Sequence, residues 1–424
     1  MIPSVGQIAR NYTLESLTHP SPASVLVRFC APRSTFLLIS SSKAHMNREK
    51  DISPPPSKRR RLDSDLRSDT IQEKSSILSP LSSASPKNLS VYSWNVNGIV
   101  PFIQKRLDSF FTKASNTQPD QPTASLRDFL RRHQWPTCLF LQEVKINPDD
   151  TATQRAVERA VRDDTKGAEP DYRAFFCLPR DKYNARGFGR KVYGVCSIVR
   201  ADFLAETNAK VRTVDWDLEG RIQIIETEAV NGWPKLSVWN IYAVNGTDNP
   251  YKDPKTGEVV GTRHDRKLQV HGLILDECNR LEKESYFVVL AGDLNIARAS
   301  IDGHPNLRTK PEQHVKNRAD FNKKFFDDPS GFRGVDTFRY LHPTEKRYTY
   351  FPRAGPFGYS CDRVDLIICS SGLQQRLTTA GMLDTPAERG PSDHVPLFAG
   401  FDFGSKPGAS PIAEANVGQD TTAT

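Results

Sequence analysis

The apolar run Tyr286–Ala291 stops abruptly at Gly292-Asp293-Leu294-Asn295. Val91-Tyr92-Ser93 likewise runs into Trp94-Asn95-Val96-Asn97-Gly98, and Ser392-Asp393-His394 stands directly before the apolar stretch ending at Phe401. A charged or amide group at the end of a buried strand is costly unless it emerges at a surface or meets a partner. Three strands ending this way constrain the fold to one in which strand ends meet.

The chain has 424 residues, enough for one large or two ordinary domains. Its charge of +8 is uneven: residues 1–88 hold 13 Lys+Arg against 7 Asp+Glu, leaving 45 against 43 for residues 89–424. The basic excess thus lies in the leading segment, and net charge says little about nucleic acid. Seven scattered cysteines, none spaced C-x-x-C, argue against a zinc module or a disulfide scaffold. Val25–Ile39, the most apolar stretch, is broken by Arg28, Pro32 and Arg33, so no membrane span is expected.

Residues 1–88 are rich in Ser and Pro, with few aromatics, and are expected to be disordered. Within them Lys58-Arg59-Arg60-Arg61 reads either as a nuclear import patch or as a solvated charge run. Residues 1–45 carry four basic residues and one acid, compatible with a mitochondrial transit peptide or with a non-native extension before Met46. From Leu89, strands and helices alternate. Strands are expected near Val91–Trp94, Thr137–Gln142, Ala174–Leu178, Tyr193–Arg200, Ile222–Thr227, Leu236–Tyr242, Tyr286–Ala291, Tyr348–Phe351, Val364–Cys369 and His394–Phe401. Helices are expected at Phe102–Phe111, Leu126–His133, within Asn147–Asp171 and, most clearly, at Thr262–Lys283, and Lys113–Ala124 reads as a polar insertion. This predicts one α/β domain over residues 89–403, with two packed sheets and helices outside. Residues 404–424 are again polar and aperiodic, and are expected to be a disordered tail.

Glu143, after the apolar Cys138–Leu141 and Gln142, reads as a hard-metal ligand or as a loop-capping acid. Asn95 and Asn97 alternate, so both face one side if the strand continues, although Asn97-Gly98 is also a turn pair. Asp293 and Asn295 repeat the alternation: the acid suits a water and the amide a phosphate, or Gly292-Asp293 is a turn. Asp365, inside Val364–Ile368, is a candidate to fix the tautomer of His394, whose imidazolium suits a phosphate, although the two also read as a satisfied core histidine and a structural acid. Tyr242 and Asn245 end another strand, as phosphate contacts or as core aromatic and turn. Acids, amides and one imidazole gathered at strand ends are what metal-assisted phosphodiester hydrolysis requires.

Six blocks in this order resemble the exonuclease III and apurinic/apyrimidinic (AP) endonuclease family of the endonuclease/exonuclease/phosphatase superfamily. They are Ser93–Gly98, Leu141–Lys145, Glu219-Gly220-Arg221, Gly292–Asn295, Asp362–Asp365 and Ser392–His394. The resemblance implies a four-layer α/β sandwich, deoxyribonuclease I-like, and Mg²⁺-dependent cleavage 5′ to abasic sites, Mn²⁺ substituting. It also implies 3′-end trimming and 3′→5′ exonuclease activity. By position, Asn97 and Glu143 would hold the metal with Asp393 nearby, and Asp293, Asn295 and His394 also count among its candidate ligands. Asp293, aided by Asn95, would position the attacking water. Tyr242, Asn295 and His394 would contact the phosphate, with Asp365 orienting His394 and Asn245 adding a contact. The aromatic lining of the abasic pocket maps to Tyr350 and Phe351. Tyr350 stands where the family usually has Trp or Phe, and Asp362 stands near where some members have Trp.

The partner implied is double-stranded DNA with abasic sites or 3′ ends, met by a monomeric enzyme in the nucleus and also in the mitochondrion if the leader is native. Two rivals remain: a relative acting on RNA or on a non-nucleic-acid phosphoester, and a DNA-binding relative without catalysis. All of this requires Glu143, Asp293 and His394 to converge.

Overall fold

The computed structural model describes residues 87–103, 125–162, 167–185 and 193–404. The expected tails, the import patch, the leader, the Lys113–Ala124 insertion and all but the start of the expected Phe102–Phe111 helix lie outside the described residues.

Two six-stranded sheets form the centre. The first joins β15 (Leu377–Met382), β16 (Leu397–Asp402), β1 (Asn88–Asn95), β2 (Cys138–Gln142), β4 (Val195–Arg200) and β3 (Tyr172–Cys177), in that order. The second joins β12 (Val335–Asp336), β14 (Asp365–Cys369), β10 (Phe287–Asp293), β7 (Leu236–Tyr242), β6 (Ile222–Glu226) and β5 (Lys210–Thr213). Side chains alternate across each strand. In β10, Val289 and Ala291 therefore enter the core between the sheets, while Val288 and Leu290 face outward. The outward face of the second sheet is covered by α4 (Arg263–Lys283) and α5 (Glu312–Asn322), through Val270, Ile274 and Phe321. The first sheet is covered by α1 (Leu126–Arg132) and α2 (Thr151–Val161), through Phe129, Leu130 and Val157. The result is the expected four-layer α/β sandwich of deoxyribonuclease I type.

Helix α4 starts where the sequence says, because Thr262 and Asp265 form a capping box: Asp265 N donates to Thr262 Oγ1 at 3.2 Å and Thr262 N to Asp265 Oδ2 at 2.8 Å. Two expectations differ. Tyr348–Phe351 is not a strand but a pair of isolated bridges, Tyr350 to Asp362 and Tyr350 to His394. Its backbone bonds are shared between two neighbours, Asp362 on one side and Asp393 and Val395 on the other, and Thr349 Oγ1 accepts from Val364 N and Asp365 N at 3.1 Å where a continuous ladder would run. The last strand begins at Leu397 rather than His394, since Pro396 has no N–H to give a ladder. The hairpin β8 (Pro250–Lys252) and β9 (Val259–Thr262) fills the segment before α4, α3 (Ala201–Glu206) follows β4, and the short β11 (Gly303–His304) pairs with β13 (Cys361–Asp362).

β1 runs parallel to β2, and β7 parallel to β10, so each pair ends on the same side. Toward that end the inter-sheet core turns polar. Gln142 Nε2 donates to Ser93 Oγ (3.0 Å) and Asn240 Oδ1 (2.8 Å), and Asn240 Nδ2 donates to Cys196 O (3.0 Å). No helix among the described residues is long and apolar enough to cross a membrane. The cysteines among them are buried.

Candidate active site

Asn95, Tyr242, Asp293 and Asp365 all sit at inward-facing strand positions directly above this polar layer. Register places Asp293 opposite both Tyr242 and Asp365. Glu143 follows β2. Two glycines allow close backbone approaches near these strand ends: a Cβ at Gly292 would lie 1.8 Å from Ile241 O, and one at Gly220 would lie 2.6 Å from Pro179 N. The backbone turns sharply as it leaves these strands. Asn97 (φ 51°), Glu143 (φ 50°), Lys145 (φ 54°) and Asn295 (φ 52°) are left-handed. Asn tolerates this; for Glu143 and Lys145 it costs about 1–2 kcal/mol each, strain of the kind that gathers at functional sites.

The candidate residues converge. Asn95 Nδ2 donates to Glu143 Oε1 (3.2 Å) and to Asp293 Oδ2 (3.0 Å), linking two strand ends through one amide. Tyr242 Oη donates to the same Glu143 Oε1 at 2.7 Å. Asn295 N donates to Asp293 Oδ1 at 2.9 Å. His394 Nδ1 lies 2.8 Å from Asp365 Oδ2. Asp293, Asp365 and His394 place one ligand atom each within 4.8 Å of one another. On the other side, Asn97 Nδ2 donates to Asp393 Oδ1 at 2.9 Å.

Electrostatics separate the groups. Burial, reinforced by the Asp365 carboxylate, pushes the Asp293 carboxyl up to about 7. Burial alone would discharge His394, but the Asp365 carboxylate beside it outweighs this and holds the ring up to about 10. His394 is therefore an imidazolium at neutral pH, a donor suited to an anion, with its Nδ1 already committed to Asp365. Burial works against the charge on Glu143, yet Lys145 and the Tyr242 hydroxyl bring the carboxyl below its usual range. Burial and the Glu143 charge keep Tyr242 protonated.

The donor set suits a hard divalent cation. The Lys145 ammonium, 3.1 Å from Glu143 Oε2, also donates to Asn97 Oδ1. Two oxygens thus already converge on one positive charge, with the Asp393 carboxylate bonded to the same Asn97 amide.

Several supporting residues carried no role in the sequence reading. Ser392 Oγ donates to Asn95 O (2.5 Å) and accepts from His394 N (3.0 Å), and Trp94 Nε1 donates to His394 O (3.0 Å). The Ser-Asp-His and Ser-Trp-Asn blocks therefore hold each other. Arg221 stacks over the Tyr242 ring at 4.6 Å and pairs with the buried Glu219 at 2.9 Å, which explains the Glu-Gly-Arg block. Arg363 pairs with Asp302 (2.8 Å) and Asp336 (2.7 Å) beneath the start of β14. Tyr350 packs on the His394 ring, centroids 5.0 Å apart. Phe351 does not join it: buried and stacked on Phe357 at 4.1 Å, it belongs to a separate cluster with Tyr348 and Val395. Asn245 is half-buried, two residues past Ala243, whose carbonyl accepts from Asn295 Nδ2 at 3.0 Å.

Solved structures share this fold. An AP endonuclease, LMAP, from Leishmania major is 18% identical with a TM-score of 0.54, covering 74% of this chain and 88% of that one. The Xenopus laevis APE2 catalytic domain (19%, TM-score 0.49, covering 73% and 91%) and an AP endonuclease from Archaeoglobus fulgidus (20%, 0.49, 74% and 99%) are also similar. No curated protein matches the sequence. The family profile described as Endonuclease/Exonuclease/phosphatase family matches residues 92–394, which include every candidate residue. The chain belongs to the endonuclease/exonuclease/phosphatase family.

Proposed function

We propose that this protein is a Mg²⁺-dependent DNA repair nuclease that cuts the phosphodiester 5′ to abasic sites and trims 3′ ends. The observation that carries the reading is the convergence of Asp293, Asp365 and His394, one ligand atom each within 4.8 Å of one another, with His394 Nδ1 2.8 Å from Asp365 Oδ2. The similarity of fold to the Leishmania major AP endonuclease supports DNA as the substrate.

In this mechanism Asp293, held by the Asn95 amide and the Asn295 N–H, accepts a proton from water as its oxygen attacks phosphorus. A base with proton affinity near ambient pH is suited to this step. The P–O bond to the upstream 3′ oxygen breaks, and that oxygen takes a proton from solvent, leaving a 3′ hydroxyl and a 5′ phosphate. Charge growing on the non-bridging oxygens meets the His394 imidazolium and the Asn295 and Asn245 amides, preorganised by Asp365 and the strand ends. Tyr242, donating its hydroxyl hydrogen to Glu143 Oε1, holds that carboxylate in place. Glu143, Asn97 and Asp393 would hold the cation, which when bound polarises a phosphoryl oxygen as a Lewis acid. Tyr350 lines the site beside His394.

The test is a side-by-side assay of an abasic duplex, an intact duplex with 3′ ends and poly(A), each with Mg²⁺ or EDTA. The expected result is EDTA-sensitive nicking of the abasic duplex well above the other two. Preferential degradation of poly(A) would move the protein to an RNA-directed branch.

A further inference from the structure

Lys267 lies on the face of α4 that packs against the second sheet, in the same stripe as Val270 and Ile274. It is 2% exposed. An ammonium is a strongly hydrated point charge and is rarely buried without a carboxylate beside it. Burial accordingly brings its proton affinity down to about 7. Its hydrogen bonds go to backbone carbonyls: Val244 O at 2.9 Å, Asn295 O at 3.0 Å and Leu294 O at 3.4 Å. An ammonium has three donors, and each has an acceptor.

These carbonyls share a location. β7 and β10 are paired through Tyr242 and Asp293, and one further bond, Ala243 N to Asp293 O at 2.7 Å, extends the pairing. Past it the two chains diverge, and the left-handed turn at Asn295 redirects its carbonyl. The Lys267 ammonium fills the gap. On one side it holds the carbonyl of the residue preceding Asn245. On the other it holds Asn295 itself, whose side-chain amide reaches back to Ala243 O.

We propose that Lys267 is a positioning residue of the active site: its ammonium cross-links the two strand-end loops and sets the spacing between Asn245 and Asn295. This rests on the nuclease reading, in which both amides receive the phosphate. A displacement of about 1 Å at such groups can cost on the order of 100-fold in rate.

The test uses the full chain with Lys267→Met, Lys267→Gln and Lys267→Arg, the second serving if the first does not fold. Steady-state nicking of an abasic duplex is measured together with hydrogen–deuterium exchange. In the Met or Gln variant, kcat should fall on the order of 10- to 100-fold while KM changes by less than about 3-fold. The Arg variant should recover most of the loss. Exchange should quicken in residues 243–247 and 293–297 and stay unchanged within 287–291. Parental kcat in the Met variant would overturn the proposal. So would an equal loss in all three variants with exchange raised throughout both sheets, the mark of a general folding defect. If the parental protein cleaves no DNA, the nuclease reading fails by itself; unchanged exchange in both loops would then overturn the clamp.

Discussion

The site has two halves, built differently. Asp293, Asp365 and His394 are 2%, 0% and 6% exposed, and the first two are fixed by strand register. Glu143, Asn97, Asp393 and Lys145 lie past strand ends and are only partly buried, and three of the four are held in left-handed backbone. In the first half burial moves the Asp293 proton affinity up to about 7, while the Asp365 carboxylate keeps the His394 ring charged against that same burial. The second keeps oxygens accessible to an exchangeable cation, with a lysine on hand to balance their charge. Proton handling calls for burial, whereas cation binding needs access, and the molecule separates the two by a single amide, Asn95.

Breaking the buried half should cost most. Asp293→Ala or His394→Ala should lower nicking of an abasic duplex on the order of 10³-fold or more, with the circular dichroism spectrum unchanged. Nicking at the parental rate by either variant would remove the assigned role. Asp365→Asn should cost less, on the order of 10- to 100-fold, because the ring remains but loses its charge partner.

A pH profile sharpens the division. Asp293 acts as base only when deprotonated, so the rate should rise as pH passes about 7. His394 acts as donor only when protonated, so the rate should fall as pH passes about 10. In Asp365→Asn the upper limb should move down, since the charge that raised it is gone. An unmoved upper limb would disconnect Asp365 from His394. In the accessible half, Glu143→Gln should shift the Mg²⁺ midpoint upward on the order of 10-fold, with the rate at saturating Mg²⁺ largely recovered. A lowered ceiling with an unshifted midpoint would place Glu143 in the proton-handling half.

Much of the buried half was legible in the sequence. Asp293 and Asn295 follow an apolar run, and Asp365 lies inside one, so each acid stands out against its neighbours. Strand periodicity also exposed the two-sheet, helix-flanked fold. Register was not legible: that Asp293 would face Tyr242 on one side and Asp365 on the other depends on pairings between segments far apart in the chain. Nor was Phe351's turn toward Phe357, because Tyr350 and Phe351 are equally aromatic and only the bridges to Asp362 and His394 decide which meets the site. Lys145 was visible within its block but without a role, since its meaning lies in two oxygens brought from other turns. Lys267 did leave a signal, a lysine in the apolar stripe of α4, and a strict reading of helical spacing would have found it.

The central claim is tested most directly by single-turnover cleavage of a defined abasic duplex at saturating Mg²⁺, comparing the parental chain with Asp293→Asn. The predicted result is a single nick 5′ to the lesion in the parental reaction and none above background in the variant, with duplex binding retained. An equal nicking rate in the two proteins would contradict the account.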